Sequence, residues 1–142
     1  MTTEHPPHHR LRSAGALLAG IVVVVALSLA TDALARALGW MAASDTEPGS
    51  HSLLLAFAYR SLYGVLGAYV VARLAPYAPL AHALISGALG LVAGAAGAAA
   101  RWELGSHWYP IALALTSVPY AWLGGLIYTK SPPPPLPPSA HP

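Results

Sequence analysis

The chain has no cysteine, and only 8% of its 142 residues are Asp, Glu, Lys or Arg. Without cysteine there is no disulfide framework, no thiolate metal site and no cysteine nucleophile. The charge content is about a third of the ~25% usual in soluble domains, too little to coat a water-facing surface. Acidic residues number five, which leaves little material for paired-carboxylate chemistry. Basic residues are isolated, with no Lys/Arg run of the kind that neutralises a row of phosphates, so the sequence points to no nucleic-acid partner. Neither G-x-x-x-x-G-K-[ST] nor H-E-x-x-H occurs, and the serines lack a neighbouring His–acid arrangement. His82 and His107 fall at opposite ends of one helix and cannot share a metal. The expectation is a protein that is not an enzyme and carries no cofactor or metal.

What the chain does have is apolar: 56% of it is hydrophobic. Four long apolar stretches run over about 14–34, 52–74, 80–100 and 109–128. A hydrocarbon core ~30 Å thick needs roughly 20 such residues in a helix, so each stretch spans once. Apolar residues surround every face, unlike an amphipathic helix on a soluble core. The roughly 10-residue alternating segments of a β-barrel are absent. The connections are polar or broken by proline: residues 41–50 with Pro48-Gly49, the turn Ala75-Pro76-Tyr77-Ala78-Pro79, and residues 102–108 ahead of Pro110. These readings give an all-α, four-helix transmembrane bundle over residues 14–130. The flanking segments 1–13 and 131–142 read as disordered cytoplasmic tails. The first carries His5, His8 and His9, and the second is a proline-rich stretch of polyproline II character.

The second half of the chain repeats the first. Tyr63-Gly64-Val65-Leu66-Gly67-Ala68 recurs as Tyr120-Ala121-Trp122-Leu123-Gly124-Gly125, and Ala16-Leu17-Leu18-Ala19-Gly20 as Ala83-Leu84-Ile85-Ser86-Gly87. Two like-oriented helical hairpins follow, related by a pseudo-twofold axis along the membrane normal, as in parallel-repeat transporters. Arg10, Arg12, Arg73 and Lys130 all fall on one side of four spans. Arg36 and Arg101 lie on the other, with Asp45, Glu47 and Glu103. By the positive-inside bias both termini are cytoplasmic. Trp40, Trp102, Trp108 and Tyr109 then sit at the outer interface. A rival reading takes the first stretch as a signal peptide, with Ala33-Leu34-Ala35 as its cleavage site. Its length and its likeness to the third stretch favour a retained helix.

Three groups of residues are singled out. Arg60 lies eight residues inside the second span, roughly 12 Å from its end, where an arginine needs a partner. Asp32 is at comparable depth, and a buried ion pair between helices one and two is expected, flanked by Tyr59 and Tyr63. This cluster either fixes helix register or binds a solute or relays a proton. Gly87, Gly90, Gly94 and Gly97 fall on one stripe of the third helix, the small-xxx-small pattern of a close helix–helix seam. One step further along the stripe, Arg101 joins Glu103 and His107 as an outer-face cluster. It reads either as a ligand contact or as boundary residues reaching for headgroups. In the repeat, Arg60 corresponds to Ser117 and Asp32 to Ala99, so the charges belong to the first hairpin alone.

Thr31-Asp32-Ala33, Ala58-Tyr59-Arg60-Ser61-Leu62-Tyr63-Gly64, His107-Trp108-Tyr109-Pro110 and Trp122-Leu123-Gly124-Gly125 resemble a group of small, uncharacterised four-helix bacterial membrane proteins. The resemblance covers most of the chain except the tails. It implies the four-helix fold and the bacterial inner (plasma) membrane, and no activity. The expected function is that of an accessory or assembly protein. Its partners would be the lipid bilayer and a second copy or another membrane protein. The competing expectation is a minimal transporter or channel acting as a homodimer, with Asp32 and Arg60 in the solute or proton path.

Overall fold

The structure, a computed structural model, describes residues 7–41, 49–100, 102–104 and 107–131. Residues 1–6 and 132–142, with Asp45, Glu47 and Arg101, lie outside the described residues. Four α-helices account for nearly all of the rest: α1 (Pro7–Ala37), α2 (Ser50–Leu74), α3 (Pro79–Ala100) and α4 (Trp108–Lys130), with a single 3₁₀ turn at Trp102–Leu104. Each is long and apolar enough to cross a membrane. All four extend beyond the apolar stretches that mark them, most of all α1, which is already helical over residues 7–13. Proline sets the α2–α3 turn. Pro79 is the first residue of α3, where a missing N–H costs nothing, and Ala78 just before it takes a positive φ of 40°.

The interior is made of small residues and the surface of large ones. Among the described residues Ala16, Ala35, Ala56, Ala68, Ala72, Ala83, Ala98, Ala114 and Ala121 are buried, joined only by Leu53 and Val71 among the larger apolar residues. Leu18, Val22, Leu29, Leu62, Val92 and Leu115 are all more than 60% exposed. In water that distribution is upside down. In lipid it is favourable, because apolar side chains need no shelter there and small residues let backbones approach. The chain is therefore a small multi-pass membrane protein.

α2 and α4 form the centre, with α1 packed on α2 and α3 packed on α4. α1 runs antiparallel to α2, since Gly20 lies on Gly67 while Asp32 reaches Arg60. α2 and α4 run parallel: Gly64 faces Tyr120, Ala68 faces Gly124, and the Tyr69 and Tyr128 rings meet in a T at 5.8 Å. The described ends of the chain thus share one face of the bundle, termed proximal, and the α1–α2 and α3–α4 connections share the distal face.

The two antiparallel pairs do not meet in the register that the sequence repeat implies. Gly20 packs on Gly67 and Val71, but its counterpart Gly87 packs on Ser117, Val118 and Ala121, not on Gly124. The reason lies in the neighbouring glycines of α4. Gly124 is turned to Val65 and Ala68 of α2, and Gly125 to Leu80 and Ala83 of α3. Successive helical residues point about 100° apart, so the pair gives α4 two smooth faces where α2 offers Gly67 to α1 alone.

Candidate functional site

One group of polar residues gathers near the distal end of the bundle. Ser28, Thr31 and Asp32 lie on one face of α1, at the i, i+3, i+4 spacing that stacks side chains. Ser28 and Asp32 are buried, at 9% and 7% exposure. Opposite them α2 presents Tyr59, Arg60 and Tyr63. Arg60 Nη2 donates to Asp32 Oδ2 at 2.6 Å, and the Tyr59 hydroxyl donates to Asp32 Oδ1. Both carboxylate oxygens are thereby occupied by donors from the same chain. Thr31 Oγ1 and the Tyr63 hydroxyl are 2.7 Å apart, and the Tyr59 and Tyr63 rings are 5.8 Å apart. The four residues expected to form an intramembrane cluster are thus together, with Thr31 added.

The second addition is Tyr109. Arg60 Nη1 donates to its hydroxyl, and the guanidinium carbon lies 5.6 Å from the Tyr59 ring centre and 5.9 Å from that of Tyr109. Those distances permit cation–π attraction to both rings. The Arg60 backbone stands ten residues from the start of α2, about 15 Å along its axis. Yet Tyr109 is only the second residue of α4. The long arginine stem carries its charge toward the distal mouth, which eases its desolvation. One side chain therefore ties α1, α2 and α4 together. The pair is partly shielded, with 29% of the Arg60 side chain and 10% of that of Asp32 exposed.

Sequence reasoning placed Tyr109 at the interface as an aromatic anchor and missed its bond to Arg60. The repeat aligned Arg60 with Ser117, eight residues further down α4, and nothing at backbone level points past that residue. The reach of arginine toward the nearest polar interface was the signal that could have found Tyr109.

The other two groups fare differently. Gly87, Gly90 and Gly94 face α4: a Cβ on Gly94 would stand 2.9 Å from the Ala114 Cβ, and one on Gly90 would stand 3.2 Å from the Ser117 Cβ. Ser117 Oγ also donates to the Gly87 carbonyl at 3.0 Å, a bond between helices. Gly97 departs from the expected seam, since a Cβ there would meet nothing within 4 Å. At that level α4 is still present, and Ala98 takes the place on the stripe: it is buried and lines a cleft with Ile111 and Ala114 of α4, while Gly97 is turned away. In the expected outer-face cluster, Arg101 lies outside the described residues. His107 donates from Nε2 to the Trp102 carbonyl at 2.7 Å and stacks on the Trp102 ring at 4.2 Å. Glu103 is exposed and makes no ion pair among the described residues.

At the proximal end His82 is buried at 4% exposure. Its Nε2 lies 2.9 Å from Ser13 Oγ and its ring 5.0 Å from that of Tyr77. This contact links the proximal ends of α1 and α3. Among the described residues no group of three or more His, Cys, Asp or Glu side chains comes together to hold a metal ion.

Comparison with protein-family models, with curated proteins and with solved structures finds no match.

Proposed function

We propose that this membrane protein is a non-enzymatic accessory or assembly protein whose distal polar cluster is a clasp rather than a solute path. The observation that carries the reading is that each oxygen of Asp32 already has a donor from within the chain. Both of its oxygens are held by Tyr59 and Arg60, and Arg60 ends on Tyr109 at the bundle mouth. A transport path needs groups that exchange partners through the full thickness of the bundle. Toward the proximal side the interior is instead filled by Ala68, Ala72, Ala83 and Ala121, none more than 3% exposed. A buried ion pair adds little net stability, and a register-fixing role is its best-attested use.

The bacterial inner membrane, with both termini in the cytoplasm, is the location this reading carries. The resemblance to small bacterial membrane proteins supports it, as do the cations Arg10, Arg12, Arg73 and Lys130 at the proximal end. Two measurements test the function. In liposomes under an imposed pH gradient, the purified protein should add no proton leak beyond that of empty vesicles. A leak abolished by Asp32→Asn would replace the proposal with a transporter. In mild-detergent extracts of native membranes the chain should migrate within a larger complex, and migration as a lone monomer would remove the assembly role.

A further inference from the structure

The seam between α2 and α4 carries a groove on its exposed side. It is open and shallow, lined by Leu62, Val65, Leu66, Tyr69 and Ile127, with a volume of about 300 Å³. Its walls are apolar, and it runs from the middle of α2 toward the proximal end. On α2 the positions 62, 66, 69 and 73 share one helix face, at steps of three and four. Arg73 therefore continues the groove wall about 6 Å beyond Tyr69. On α4, Lys130 follows Ile127 by three residues and shares its face. The T-shaped Tyr69–Tyr128 pair holds the two helices level at this point, so Arg73 and Lys130 fall at the same height on the two walls, at the proximal end of the groove. Both are exposed. Among the described residues the only acids are Asp32 and Glu103, both toward the distal end, so no described carboxylate lies near this mouth.

We propose that this groove binds one anionic phospholipid of the proximal leaflet. An acyl chain lies along Leu62, Leu66 and Ile127, and the phosphate sits between Arg73 and Lys130. An apolar channel of membrane depth ending in two cations from its two walls matches a lipid that is apolar along its length and negative at its end. A free phosphate gains nothing from the apolar walls. Each Lys or Arg near a membrane surface favours anionic over neutral lipid by about five-fold, so the two together give roughly 30-fold. The site is separate from the distal clasp and does not depend on the accessory role.

The test uses the full chain in nanodiscs of four parts phosphatidylcholine to one part phosphatidylglycerol, released and weighed by native mass spectrometry. Wild type should retain one lipid, with the ratio of phosphatidylglycerol to phosphatidylcholine in the site raised roughly 30-fold over the bilayer's one to four, to about seven to one. The double change Arg73→Gln with Lys130→Gln should erase the enrichment. Leu66→Trp, which fills the groove and leaves every charge in place, should reduce retention of the lipid itself. The control Arg10→Gln with Arg12→Gln removes two cations elsewhere on the proximal end and should leave the retained lipid unchanged. Equal loss in that control would overturn the site in favour of diffuse surface charge. So would retention of phosphatidylcholine as readily as phosphatidylglycerol by wild type.

Discussion

Replacing Arg60 by alanine removes the donor on Asp32 Oδ2 and leaves a carboxylate that is 10% exposed with Tyr59 as its one remaining partner. An uncompensated buried charge costs about 3–5 kcal/mol, and the low exposure places this variant near 4. Asp32→Ala strands the guanidinium instead. Arg60 is 29% exposed and keeps Tyr109 and two aromatic faces, so the loss falls near ~3 kcal/mol on the same scale. The double variant holds no charge at all. It forfeits hydrogen bonds and the packing of the arginine stem, together about 3–4 kcal/mol. The singles would add to ~7, so the cycle yields a coupling of about 3 kcal/mol, at the top of the range for contacting residues. The assay is reversible unfolding in mixed micelles of rising SDS fraction, followed by helical circular dichroism. Losses that add to within about 0.5 kcal/mol would falsify the direct pair and with it the clasp.

Two further outcomes follow from the packing. Gly94→Leu should lower the midpoint of the same transition sharply, because even a Cβ there stands 3.0 Å from the Ala114 backbone. Gly97→Leu should leave it within about 0.5 kcal/mol, and equal effects would show that α3 and α4 do not pack through this stripe. Tyr109→Phe should cost about 1.5 kcal/mol or more, the lower bound for a hydrogen bond to a charged group. Tyr63→Phe removes a neutral bond to Thr31 and should cost less, about 1 kcal/mol. The reverse order, read from the two midpoints, would place Arg60 elsewhere.

The helices were legible because composition and length leave lipid as the only solvent for 20-residue apolar runs. Their ends were less so: polar residues such as Ser50, His51 and Arg10 continue a helix past the hydrocarbon, where no hydropathy threshold marks a stop. Asp32 and Arg60 were legible as a pair because opposite charges at similar depth have few other partners. Tyr109 was not, since it lies on a helix whose register against α2 cannot be read from a repeat. The repeat itself misled at Gly87. Similar sequences predict similar faces, but whether Gly124 or Gly125 meets a given neighbour is a 100° choice that the packing of all four helices decides.

The seams of this bundle are built from Gly20, Gly67, Gly87, Gly94, Gly124 and the buried alanines, residues with no rotamers to freeze. Away from the distal clasp, bringing the helices together therefore costs almost nothing in side-chain conformational entropy. Nor does it withdraw apolar surface from water when the surroundings are lipid. What remains along these seams is dispersion between closely approaching backbones, joined by the hydrogen bond from Ser117 to the Gly87 carbonyl. Separation of these helices should thus carry a heat-capacity change far smaller than that of a soluble domain of the same size, where water must hydrate the exposed core. The stability of this protein should change gently with temperature and steeply with the shape of a single side chain.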